Sequence, residues 1–180
     1  MKRVLIAIIA AALTSTAAHA ALKPGLKAPD FTTQASLGGK VFSFSLSEAR
    51  KKRPVVLYFY PEAFTSGCTI EAHEFAAATD AFKAAGATVI GLSHDGIDKL
   101  QKFSVSECQN KFAVGADTDQ KIMKAYDAVL KEDLSYSDRT SYVIAPTGEV
   151  RTAYTNMDHP KEHVEKTLAA VKQWAAAHPR

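Results

Sequence analysis

Cys68 closes the octet Pro61-Glu62-Ala63-Phe64-Thr65-Ser66-Gly67-Cys68, which follows an apolar run from Pro54 to Tyr60, so its thiol stands where a strand gives way to a helix. A thiol attacks as the thiolate, and the unpaired N–H groups and positive dipole end at a helix start stabilise that anion. Gly67 is expected to let the backbone turn sharply and approach whatever Cys68 attacks, while Pro61 closes the strand and stiffens the loop. Thr65, three residues ahead of the thiol, can donate its hydroxyl to the sulfur or to a bound oxygen. An ordinary cysteine with a pKa of about 8.5 is about 3% thiolate at pH 7, so full ionisation raises the reactive fraction by about thirtyfold at most. A lower pKa also weakens the nucleophile. Fast chemistry here therefore needs fixed donors around the transition state, and the Thr65 hydroxyl and the N–H groups of Gly67 and Cys68 are candidates.

The elements that must hold this octet alternate along the chain. Phe31 to Thr33 and Val41 to Phe44 read as strands of a hairpin turning at Gly38-Gly39, followed by a short helical turn over Ser45 to Ala49. Val55 to Tyr60 has the continuous apolar character of a strand covered on both faces. Glu71 to Ala85 repeats Ala and Phe at helical spacing and stops at Gly86, and Ala87 to Ser93 is a second buried strand. Strand, helix and strand make a right-handed crossover with parallel strands. Asp98 to about Cys108 reads as a helix, Phe112 to Gly115 as a strand and Gln120 to Tyr126 as a helix. Thr140 to Ala145 and Val150 to Tyr154 form an antiparallel hairpin around Pro146-Thr147-Gly148-Glu149, and Pro160 to Ala177 is a terminal amphipathic helix. The order predicts an α/β, thioredoxin-like fold: a central mixed β-sheet flanked by helices, with an N-terminal β-hairpin extension.

The pattern Pro-x-x-x-Thr-x-x-Cys resembles the active-site loop of the peroxiredoxins, thiol-dependent peroxidases on a thioredoxin-like fold. Thr69, Glu71 and Phe75 extend it in the manner of the bacterioferritin comigratory protein or Q-type subfamily, over about Leu22 to Trp174. Lys27-Ala28-Pro29-Asp30-Phe31 and Ser93-His94-Asp95 match further family segments, and Asp138-Arg139-Thr140-Ser141-Tyr142-Val143-Ile144 resembles the strand carrying the family's arginine. The resemblance implies reduction of hydrogen peroxide and organic hydroperoxides, with Cys68 becoming a sulfenic acid. Pro61, Thr65, Gly67, Cys68 and Arg139 would form the catalytic and substrate-binding set. Arg139 suits the task because its guanidinium stays charged and presents a planar fork of donors. Glu71, one helical turn beyond Cys68, is a candidate for positioning Arg139 or the loop; Tyr60 reads either as part of the pocket wall or as a plain core aromatic at a strand end.

Many Q-type relatives carry a resolving cysteine five residues after the first, where this chain has His73. Cys108, the only other cysteine, is the candidate resolver, because some Q-type relatives place one in this helix. Ten residues of helix span about 15 Å, and a disulfide needs Cα atoms within about 7 Å, so resolution by Cys108 requires local unwinding. The alternative is recycling by an external thiol or a thioredoxin-like reductant. His94-Asp95 borders the pocket without a catalytic task. His159 and His163 have the i, i+4 spacing of metal ligands but no accompanying cluster, and read as a solvent-facing pair. Neither a cofactor nor a metal is expected. The rival class is an exported thioredoxin-like thiol-disulfide oxidoreductase, which needs Cys-x-x-Cys where Thr65 stands. A binding or chaperone module would leave Cys68 and Arg139 idle.

Residues 1–20 have the layout of a secretory signal peptide: Lys2 and Arg3, an apolar run from Val4 to Leu13, and the small-x-small site Ala18-His19-Ala20. Residues 21–180 would form the mature peroxiredoxin domain, exported to a bacterial periplasm and without stable membrane association after cleavage. The formal net charge of +3 includes Lys2 and Arg3, so the mature chain carries +1 and its charge points to no nucleic-acid partner. The basic run Arg50-Lys51-Lys52-Arg53 reads as a solvated turn. A monomer or weak dimer is expected.

Overall fold

A computed structural model describes residues 21–179. The signal segment proposed for residues 1–20 lies outside the described residues. Seven strands form one mixed sheet: β1 (Thr32–Leu37), β2 (Lys40–Ser45), β3 (Val55–Phe59), β4 (Thr88–Ser93), β5 (Ala113–Ala116), β6 (Thr140–Ile144) and β7 (Val150–Thr155). Their spatial order is β2-β1-β5-β4-β3-β6-β7. β3 runs parallel to β4, and β4 to β5, while the pairs β1–β2, β1–β5, β3–β6 and β6–β7 are antiparallel. The N-terminal hairpin turns at Gly38 and Gly39, both in the left-handed region where a side chain would be strained.

The helices are α1 (Leu46–Arg50), α2 (Ser66–Ala84), α3 (Ile97–Ser106), α4 (Lys121–Ala125) and α5 (Pro160–Ala177). β3 alternates its side chains between two apolar cores, as strand geometry dictates. Val56, Tyr58 and Tyr60 face a core shared with α2, α3 and α5, while Val55, Leu57 and Phe59 face one shared with α1 and α4. Both faces of the strand are therefore dry, which is why its sequence is continuously apolar. No helix among the described residues is long and apolar enough to cross a membrane.

Several boundaries differ from the sequence reading, among them β1, which runs on from Thr33 to Leu37, and two of them bear on the chemistry. α2 begins at Ser66 rather than Glu71, so Cys68 lies inside its first turn. The polar and small residues Ser66, Gly67 and Thr69 conceal that turn from a hydrophobic-periodicity reading. α3 ends at Ser106, so Cys108 lies just past the helix, its N–H donating to Phe103 O at 3.0 Å, and is followed by Gln109 and Asn110 in left-handed conformation.

Candidate active site

The loop from Pro61 to Thr65 is held by groups at the C-terminal end of β4. Asp95 Oδ2 accepts from Ala63 N at 2.7 Å and from Ser93 Oγ at 2.8 Å, and His94 Nδ1 lies 3.0 Å from Pro61 O. Lys99, in the first turn of α3, pairs with Asp95 and Glu62 at 2.7 Å each. The sharp turn falls at Phe64, with φ 70°, and not at Gly67, which is helical. That strain is held in place by the Asp95 anchor on one side and by the edge-on packing of Phe64 against Phe103 on the other. Gly67 has a different task from the one expected of it. A Cβ built there would lie 2.9 Å from Arg139 Nη2, so the absent side chain lets the guanidinium cross the start of α2.

The sulfur sits at the focus of this arrangement. Cys68 is 2% exposed, and Arg139 Nη2 donates to its Sγ at 3.6 Å. Arg139 stands at the start of β6, with its Nε–H donating to Met157 O at 3.1 Å and its Nη1 paired with Glu71 Oε2. The Thr65 hydroxyl donates to Glu62 O at 3.0 Å rather than to the sulfur, and it does not cap the helix. The first α2 amide to find a carbonyl is Thr69 N, on Thr65 O. The amides of Ser66, Gly67 and Cys68 therefore carry the unsatisfied donors of a helix start. A buried thiol beside a guanidinium and these amides can bind an oxygen-rich substrate and stabilise charge developing on it.

Behind Arg139 lies a second buried layer. Glu71 is wholly buried, and its carboxyl is pushed up to about 8 by desolvation, against the opposing pull of Arg139. His163 is wholly buried too, so the solvent-facing pair expected of His159 and His163 is not formed; His159 alone is exposed. α5 turns His163 inward, against the ring of Tyr154 and the Ser141 hydroxyl. A helical-wheel reading of α5 groups His163 with the buried Val164, Thr167 and Val171, and that was the available signal. Tyr60 is buried in the apolar core, stacked on Phe103, as the plain core aromatic that a strand end also offers.

Cys108 is 0% exposed and belongs to the same apolar core as Cys68. Burial, aided by the charge of Glu107, pushes its thiol far above the ordinary range. His73 Nε2 contacts Glu107 Oε2 at 2.8 Å and so ties α2 to the residue preceding Cys108. Both thiols are free. Among the described residues, no group of three or more potential metal ligands comes together.

Residues 24–153 match the AhpC/TSA family. A peroxiredoxin bcp of Helicobacter pylori is 34% identical over 155 residues, 83% of this chain and 98% of the relative. Peroxiredoxin Q of Sedum lineare is 32% identical over 158 residues, 88% of this chain and 82% of the relative. The crystal structure of the peroxidoxin BcpB from Mycobacterium tuberculosis superposes with a TM-score of 0.76 at 27% identity, over 84% of this chain and 97% of that one.

Proposed function

We propose, from the premise that this chain belongs to the AhpC/TSA family and is a thiol peroxidase of the bcp and Q type, that Cys68 is its peroxidatic cysteine. The observation that carries this reading is the Arg139 guanidinium at 3.6 Å from a thiol in the first turn of α2. The Cys68 thiolate attacks one oxygen of the peroxide. An S–O bond forms as the O–O bond breaks, sulfur is oxidised by two electrons, and the departing hydroxide or alkoxide takes up a proton to leave as water or alcohol. Arg139 Nη2 and the amides of Gly67 and Cys68 hold the two oxygens and bear the charge that develops between them. Thr65 joins them once its hydroxyl turns from Glu62 O to the peroxide, and Pro61 holds the loop end.

Cys108 resolves the sulfenic acid by displacing water to form a disulfide, after the turn at Gln109 and Asn110 unwinds. A thioredoxin-like dithiol then restores both thiols. Residues 1–20 direct export, residues 21–180 act in the periplasm, and the mature chain works as a monomer or weak dimer.

The test compares peroxide consumption with insulin reduction, in the presence of dithiothreitol. Rapid peroxide consumption with little insulin reduction supports the reading; the reverse supports a disulfide oxidoreductase. Peptide mapping after one equivalent of peroxide separates the two routes of recycling. A Cys68–Cys108 disulfide supports resolution by Cys108. A sulfenate or external mixed disulfide at Cys68, with Cys108 still a free thiol, excludes it.

A further inference from the structure

A cavity of about 370 Å³ opens at the end of the sheet away from Cys68. Phe42 and Phe44 of β2, Phe82 near the end of α2 and Phe112 just ahead of β5 form its walls. Ala49, Ala87 and Ala113 line it as well, and their short side chains leave the space open. The cavity is separate from the peroxide site. β4 runs from Thr88, at the cavity, to Ser93, beside the Asp95 anchor of the Cys68 loop. Five strand steps therefore separate the two, about 17 Å.

Its charge is one-sided. Arg53, Lys83 and Lys111 are the charged side chains that line it, and all three are cations. Lys111 has a distant partner in Asp80, at 3.8 Å, whose carboxylate is itself mostly exposed. The side chains of Arg53 and Lys83 have no partner among the described residues. An exposed cation needs none, because water solvates it. What distinguishes this rim is that its cations surround an apolar opening, where Leu37 and Phe42 are also 41% and 40% exposed.

A ligand that uses both features has an apolar tail and one anionic head. The volume falls in the range of small-molecule sites, about 300 to 1,000 Å³. It is about twelve times the ~30 Å³ that a water molecule occupies in the liquid. A methylene is of similar size, so a tail of about ten carbons fills the space. Phe44, Phe82 and Phe112 are buried within the walls, so the tail enters the protein; these rings do not project as they would to enter a bilayer.

We propose that this cavity binds a medium-chain carboxylate, its alkyl tail among the phenylalanines and its head held by Arg53 and Lys83 at the rim. The proposal goes beyond the peroxidase reading and does not rest on it.

The probe is decanoate, kept below the concentration at which it forms micelles and titrated into the isotope-labelled protein. Binding should saturate at one equivalent. It should shift the amide resonances of Phe42 to Ala49, Phe82 to Val89 and Lys111 to Ala113, and leave those of the Cys68 loop in place. Decyltrimethylammonium, with the same tail and the opposite charge, should bind far more weakly. Equal binding of the two, or shifts centred on the Cys68 loop, would overturn the proposal.

Head and tail can then be tested apart. Replacing both exposed cations, Arg53→Gln with Lys83→Gln, should weaken decanoate by about two- to thirtyfold, as the loss of two exposed ion pairs would. Octanoate has two methylenes fewer and should bind about fifteenfold more weakly than decanoate if the tail is buried. A difference under about threefold would leave the tail in water and refute the cavity as its site. Ala49→Leu keeps the helix and fills the space, so it should abolish binding while the melting temperature of the free protein holds. Decanoate should raise the melting temperature of the wild type and not of this variant. Binding to anionic vesicles without binding of monomeric decanoate would overturn the proposal in favour of a membrane surface. A dimer that Ala49→Leu disrupts, again without decanoate binding, would overturn it in favour of a second copy. None of these measurements involves peroxide, so failure of the peroxidase reading would leave them unchanged.

Discussion

Cys68 and Cys108 lie in one apolar core and are equally hidden from solvent, yet their surroundings prepare them for opposite fates. Cys68 occupies the first turn of a 19-residue helix, with a guanidinium at 3.6 Å and open amides around it. Cys108 follows the end of a helix and meets only Glu107 as a charged neighbour, one of the wrong sign for a thiolate. Burial therefore does not by itself decide whether a cysteine is inert. Arg139 and the open amides of α2 face one sulfur, whereas the charged group beside the other is a carboxylate.

The sharpest way to break this comparison is to remove the privileged sulfur. Cys68→Ser should abolish peroxide consumption while the far-ultraviolet circular dichroism stays native. Residual turnover carried by Cys108 would show that the apolar surroundings do not silence a thiol. Arg139→Ala comes next. The loss of one charge-assisted donor to the transition state is expected to cost about 10²- to 10³-fold in kcat/KM. That deficit should persist at a pH where the thiol is fully ionised; if raising the pH restored wild-type rates, Arg139 would act on ionisation alone.

Gly67→Ala probes the same contact more gently. The added methyl meets the far end of a flexible side chain, so the backbone can stay while the guanidinium moves. A displaced donor should lower kcat/KM by about ten- to a hundredfold. Because alanine favours helix over glycine, the melting temperature should hold or rise. A fall in stability with unchanged rate would mean that the glycine serves the backbone instead.

That glycine illustrates what the sequence could and could not convey. Strand β3, the two hairpins and the terminal helix were legible because each repeats a simple pattern: continuous apolar residues, glycines at a tight turn, or apolar residues at helical spacing with Pro160 at the start. The nucleophile candidate and its loop were legible from local spacing. The closeness of Arg139 to Cys68 was not, because it depends on β6 lying beside β3, a pairing between segments about 80 residues apart. The family resemblance supplied that partner where spacing could not. His163 stayed hidden for a related reason. Its spacing from His159 matched a surface pair, whereas its burial follows from how α5 rotates against β6 and β7.

The smallest expected effect concerns how Cys108 is released. Burial disfavours its thiolate while the turn after α3 stays closed, so its reactivity measures the opening of that turn. The contact between His73 and Glu107 braces the turn against α2, and it is half exposed on the histidine side. Partly exposed polar contacts of this kind contribute about 0.2 to 1 kcal/mol. His73→Ala should therefore raise the rate of Cys108 alkylation by about 1.5- to fivefold, measured under conditions where opening is a rapid pre-equilibrium. The global melting temperature should barely move. If alkylation of Cys108 instead followed global stability and ignored His73→Ala, the turn would open only when the whole domain unfolds. Cys108 could then be no resolving cysteine at a useful rate, and the comparison between the two thiols would become one between a catalyst and a core residue.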